Sequence, residues 1–347
     1  MRLVLVLVSA LLAGCNAGYY WHLARGHADL MSARVPVDEV LADPATDTVL
    51  REQLALSAKA LVFARERLSL PSNGSYRDYV ALDRDWVVWN LFAAPEFSLD
   101  AHQWCYPVAG CASYRGYFDR ARAEQAADRL RARGFDVHGA GAIAYSTLGW
   151  FDDPLTPAML ARSDGGLVEL LFHELVHQRF YLKGDTRFNE SLATAVARHG
   201  RKAWFADRGA DDDDAAVAAA AWQSVRALLE QTRTALQTLY ASDLPARQMR
   251  ERKRAIQADT RARYHQALAR QPALAAWQGF FDGPLNNAQL NTVADYNQWV
   301  PAFTSLIARC EAEWGCFWDA VDELAEMEDE ARQAALQRLQ DQERRHD

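Results

Sequence analysis

The run LLFHELVHQRFYLKGDTRFNESLATAVARHG, residues 170–200, carries His173, Glu174, His177 and the pair Asn189-Glu190. Residues four apart share one face of a helix, so in His173-Glu174-Leu175-Val176-His177 both imidazoles can reach one ion. The flanking Leu170, Leu171, Phe172, Val176 and Phe180 are apolar, which marks a buried helix. Two buried histidines without partners are costly, and a divalent metal supplies what they lack. Asn189 to Arg198 reads as a second helix, and Gly184 supplies the turn that lets the two pack antiparallel. Glu190 then faces His173 and His177. A catalytic zinc keeps three protein ligands and one open position, so His173, His177 and Glu190 form the expected metal set, one Zn2+ per chain. Glu174 lies beside them, placed to activate a zinc-bound water. The rival reading, two ordinary helices with polar residues, is answered by the third ligand rather than by HExxH itself, which fixes only three residues.

Upstream of this run, Asp85 to Phe97 (DWVVWNLFAAPEF) and Phe135 to Tyr145 (FDVHGAGAIAY) are rich in aromatic, branched or small residues and read as strands. Tyr114 to Arg133 reads as a helix closed by Gly134. Nearer the N-terminus, Tyr19 to Leu41 is helical with a break at Pro36. Thr46 to Leu68 is a long amphipathic helix, and Pro71-Ser72-Asn73-Gly74 is a turn. Downstream, Asp213 to Ser242, Leu244 to Ala269 and Gln298 to Gln340 are expected helices. The alanine-rich Ala215 to Ala221 favours helix, and Asp211 to Asp214 suit its N-terminus. No internal repeat or linker interrupts the chain. The expected class is α+β, predominantly helical, with a small sheet packed beside the HExxH helix in a zincin-like core and long C-terminal helices. Residues 16–347 read as one domain, with the sheet and HExxH core at about 80–205 and a helical part at about 211–340.

The chain opens MRLVLVLVSALLAGCNAG, with one arginine and an apolar run from Leu3 to Ala13 that is too short to span a bilayer. Leu12-Ala13-Gly14-Cys15 resembles a bacterial lipobox. That implies a signal peptide over residues 1–15 and a lipid on Cys15 that holds the protein to a membrane. Asn16, rather than aspartate, follows it, so the expected address is the periplasmic face of the outer membrane. The other cysteines lie in two close pairs, Cys105 with Cys111 and Cys310 with Cys316. An oxidising compartment permits disulfides, and of the three possible connectivities the local one is expected. A net charge of −8 argues against nucleic acid as a partner. No protein partner can be read from the chain.

The His2Glu set resembles the glutamate-type zinc peptidases, in which an Asn-Glu pair on a following helix completes the site. Thermolysin-like enzymes and the large aminopeptidases have a longer insertion before that glutamate, and Thr194 stands where the former carry an aspartate that orients a histidine. A resemblance over nearly the whole chain rests on the lipobox, AYSTLGWFDDPL, FHELVHQ, GDTRFNESLATAV and PLNNAQL. Together these look like a family of Gram-negative lipoproteins described as predicted aminopeptidases. The resemblance implies a zinc metallopeptidase acting on peptide substrates.

Peptide hydrolysis needs a donor for the oxyanion. Tyr145, at the end of a strand before the motif, is the first candidate, with Tyr181 and Tyr296 behind it. An aminopeptidase also needs a carboxylate for the substrate ammonium. Asp152, Asp153 and Glu169 are nearest in sequence, although Asp152-Asp153-Pro154 also reads as a turn. Asn286 and Asn287 suit either substrate backbone or a helix cap. His22, His27, His102, His138 and His199 are scattered and are not expected ligands. Two alternatives stand beside the aminopeptidase: an envelope quality-control endopeptidase, and a non-catalytic lipoprotein with a structural metal site. A purely structural site has no use for Glu174.

Overall fold

The computed structural model describes residues 2–106 and 110–343. The side chains of residues 2–16, 213, 294–297 and 342–343 lie outside that description, and with them the expected lipidation site Cys15 and the candidate Tyr296. The chain begins with helix α1 (Arg2–Ser32), strand β1 (Val35–Pro36) and short α2 (Val37–Ala42). Asp47 then starts α3 (Thr48–Leu68) by accepting hydrogen bonds from the backbone N–H groups of Val49 and Leu50. Strand β2 (Asp78–Tyr79) pairs with β1. Among the described residues no helix is long and apolar enough to cross a membrane.

The central sheet is built on β3 (Val88–Pro95). Next come the β4 (Trp104–Tyr106) and β5 (Gly110–Ala112) hairpin, β6 (Tyr114–Tyr117), α4 (Arg120–Ala132) and β7 (Phe135–Ala142). β6 and β7 flank β3, both antiparallel, with Phe92 opposite Tyr114 and His138. Alternation then sorts the residues. Leu91, Ala93, Tyr117 and Val137 pack on Ala123, Ala126, Ala127 and Leu130 of α4. The opposite face carries Val88, Asn90, Tyr114 and Gly116. The glycines of FDVHGAGAIAY make room for tryptophans: a Cβ at Gly139 would stand 2.6 Å from Trp89 Nε1.

The helix expected over Tyr114 to Arg133 is corrected at its start, because Tyr114–Tyr117 forms β6. Tyr117 buries itself against α4, and Asp119 begins the helix by accepting from the N–H groups of Ala121 and Arg122. Gly134, with φ +82°, follows the end of the helix as expected.

After the single-turn α5 (Pro157–Leu160) come α6 (Asp164–Arg179) and α7 (Thr186–Asp207), capped by Ser163 and Asp185. The turn between them passes through Gly184 at φ +87°. Around this pair lies the main core, in which Phe63 stacks on Phe172 at 5.9 Å and meets Trp204 edge-on at 5.3 Å. Helices α8 (Asp213–Tyr240) and α9 (Ala246–Leu268) form a hairpin with its own apolar cluster around Tyr264 and Phe281. A 3-10 turn (Pro272–Trp277), α10 (Gln278–Phe281) and α11 (Asn287–Asn297) follow. The expected helix over Gln298 to Gln340 is three helices: α12 (Val300–Arg309), α13 (Trp314–Glu326) and α14 (Asp329–Glu343). Glu311 and Ala312 take left-handed conformations at the first break, where a disulfide joins Cys310 to Cys316. A second disulfide, Cys105–Cys111, closes the β4–β5 hairpin. The molecule is thus α+β and predominantly helical.

Candidate metal centre

His173 and His177 stand one turn apart on α6 with their Nε2 atoms 3.1 Å from each other. From the facing α7, Glu190 Oε2 approaches His173 Nε2 to 3.2 Å and His177 Nε2 to 3.6 Å. Metal bonds of about 2.0–2.1 Å in a tetrahedral site separate donor atoms by about 3.3 Å. The three contacts therefore have the size of tetrahedral edges, and the donor set fits one divalent ion. Among the described residues this is the group of histidine, cysteine and carboxylate side chains suited to hold a metal.

The electrostatics agree with the geometry. Burial pushes the Glu190 carboxyl up, but the two imidazoles more than reverse this and hold it well below its ordinary value. Burial pushes His177 down, while the charges of Glu190 and Glu174 raise it above the usual imidazole range. A buried centre with these preferences favours positive charge. His177 Nδ1 is buried without a hydrogen bond. Thr194, which lines the same cavity, does not supply one.

The positions of these groups follow from local structure. Asn189 places its neighbour: its side-chain oxygen accepts from the Leu182 N–H and its amide donates to the Leu182 carbonyl, both at 2.8 Å. The first residue of the Asn-Glu pair thereby closes the turn, and the second enters the site. The sequence signal for Asn189 was its place beside Glu190, which does not reveal the clamp.

The centre opens into a cavity of about 1020 Å³ that Glu174 also lines. Its other walls come from α1 (Tyr19, Tyr20), the open face of the sheet and the segment after β7. Tyr145 lies on this wall with its hydroxyl 3.0 Å from His27 Nδ1. Tyr181 also lines it, its ring centred 6.5 Å from that of His177. Tyr114 of β6, also on the cavity wall, was hidden in the segment read as helix. Burial first, then the charges of Glu190, Tyr181 and Glu174, raises its pKa and keeps its hydroxyl a donor.

The other candidates sort differently. Glu169 lines the cavity but is bound by Arg201 at 3.1 Å. Asp153 is fully buried, accepting from the Thr147 N–H at 2.9 Å, and does not line the cavity; Asp152 accepts from Arg34 through its carbonyl. Asn286 caps α11 by accepting from the Gln289 N–H, and Asn287 donates to the carbonyls of Pro95 and Glu96. Both asparagines therefore hold the fold together. His22 and His27 fasten α1, His22 by accepting from the Phe118 N–H. Arg162 and Arg198, which also line the cavity, had no signal in the sequence.

The model of a family described as "Putative aminopeptidase" matches residues 18–336 of this chain. No curated protein and no solved structure matches it.

Proposed function

The chain belongs to this "Putative aminopeptidase" family, and from that premise we propose that it is a zinc-dependent peptide hydrolase with a zincin-like core. The observation that carries the reading is the tetrahedral spacing of His173, His177 and Glu190 beside Glu174 in one cavity. Imidazole and carboxylate donors suit zinc. When bound, the ion supplies Lewis-acid polarisation of water and of the substrate carbonyl.

The chain's own residues supply the rest. Glu174 takes a proton as water oxygen bonds to the peptide carbonyl carbon. It passes that proton to the amine nitrogen as the C–N bond breaks. A protonated tyrosine hydroxyl on the cavity wall donates to the developing oxyanion. Tyr145 fills this role in our reading, and Tyr114 and Tyr181 border the same space. The walls contributed by α1 and the sheet favour short peptides over a long extended chain. We further propose that Cys15 carries a lipid and holds the protein at the periplasmic face of the outer membrane.

A Glu174→Gln variant tests the chemistry. It should keep the metal set and lose hydrolysis of short peptides by about 100-fold or more. Undiminished hydrolysis would remove Glu174 from the mechanism. Tyr→Phe variants at 145, 114 and 181, compared by kcat, identify the oxyanion donor.

A further inference from the structure

α6 and α7 run antiparallel beneath the cavity, with the metal set at one end and a cluster of arginines at the other. Arg162, just before α6, and Arg198 of α7 both line the cavity there. Between them Glu169 is the carboxylate lining this end, and it is already engaged: Arg201 holds it at 3.1 Å and Arg198 approaches it to 3.8 Å. Arg162 Nε donates to the Gly166 carbonyl at 3.2 Å, and no described carboxylate lies within ion-pair distance of its guanidinium. Arg162 is exposed, and so open to a ligand; Arg198 is already engaged beside it, with 42 % of its side chain exposed.

This charge arrangement is wrong for an ammonium and right for an anion. We propose that Arg162, assisted by Arg198, binds a substrate carboxylate, which makes the enzyme a hydrolase of short peptides ending in a free carboxyl group. The inference rests on the peptide-hydrolase reading above and adds the substrate class.

Distance sets the substrate length. Glu190 and Arg198 are eight residues apart on α7, which is about 12 Å along a helix. Extended peptide advances about 3.3 Å per residue. A carboxylate held at the arginine end therefore lies three to four residues beyond a carbonyl held at the metal end. Guanidinium groups suit this task because their planar donors meet both carboxylate oxygens. Glu169 orients Arg198 instead of receiving the substrate's N-terminus.

The test uses full-length protein and tetra-alanine, its C-terminal amide, and Ala-Ala-Ala-Glu amide. Hydrolysis is followed in the parent, and calorimetric binding in the Glu174→Gln variant. Each is repeated with Arg162→Met, Arg198→Met and both combined. Tetra-alanine is expected to bind about tenfold more tightly than its amide, with the difference appearing in KM rather than kcat. Arg162→Met should remove most of that preference and Arg162→Lys should restore part of it. Recovery of affinity by Ala-Ala-Ala-Glu amide would assign the contact to any carboxylate near the chain end; no recovery would assign it to the terminus. Equal binding of acid and amide, binding of neither, or a preference that survives the double variant would overturn the proposal. Carboxylate-dependent binding without hydrolysis would support the arginine site while sinking the peptidase reading.

Discussion

Asn189 and Glu190 are neighbours with separate tasks, one closing a turn and the other facing two imidazoles. Replacing Asn189 by alanine removes two hydrogen bonds to Leu182 and should cost about 2–3 kcal/mol. The same variant should bind zinc more weakly, since Glu190 loses its placement; denaturation with and without the metal measures both effects. Asp153 offers a second test at this scale. It is buried with Oδ1 unpartnered, and burial raises its pKa from 3.8 to about 6. The fold therefore accommodates the protonated form. Its stabilising contribution is complete below 3.8 and is lost as pH rises through about 6. Asp153→Asn should then exceed the parent in stability at pH 8, by up to about 3 kcal/mol, with little gain near pH 4. A gain at pH 4 that vanished at pH 8 would reverse this assignment. His173, Glu174 and His177 were legible in the sequence because their chemistry is packed into one turn of helix. The Asn189 clamp and the Arg162–Arg198 pair join residues through the fold, so no local spacing announced them.

Among the elements, α6 and α7 approach closely because Gly200 has no side chain. A Cβ there would stand 2.6 Å from Leu68 Cδ1 and 2.8 Å from Phe172 Cδ2. Gly200→Val should therefore destabilise the protein by about 1–3 kcal/mol through overpacking. A thermal melt equal to the parent's would show that the core yields without cost. Strands β3 and β7 were legible from their aromatic and branched or small residues. β6 was not, because only Tyr114–Tyr117 lies between a hairpin and the Asp119 cap, too short a run to show its period against the helix that follows. The three C-terminal helices merged into one reading because neither break contains proline, and the first contains no glycine. Its turn uses left-handed Glu311 and Ala312, which composition does not favour.

At the scale of the whole molecule, the cavity joins parts of the chain far apart in sequence: Tyr19 of α1, Asn90 of β3, Tyr145 after β7, and the metal set. The α+β class followed from patterns within segments, whereas the role of α1 as a cavity wall depends on contacts such as the Tyr19 hydroxyl on the Gly116 carbonyl at 3.0 Å. In the proposed function these parts converge on one metal ion. The most direct measurement is zinc content of the purified protein beside its His177→Ala and Glu190→Ala variants, each shown to be folded by circular dichroism. One zinc per chain in the parent and none in either variant is the expected result. A folded parent that retains no metal after dialysis against micromolar zinc, or variants that bind as the parent does, would contradict it.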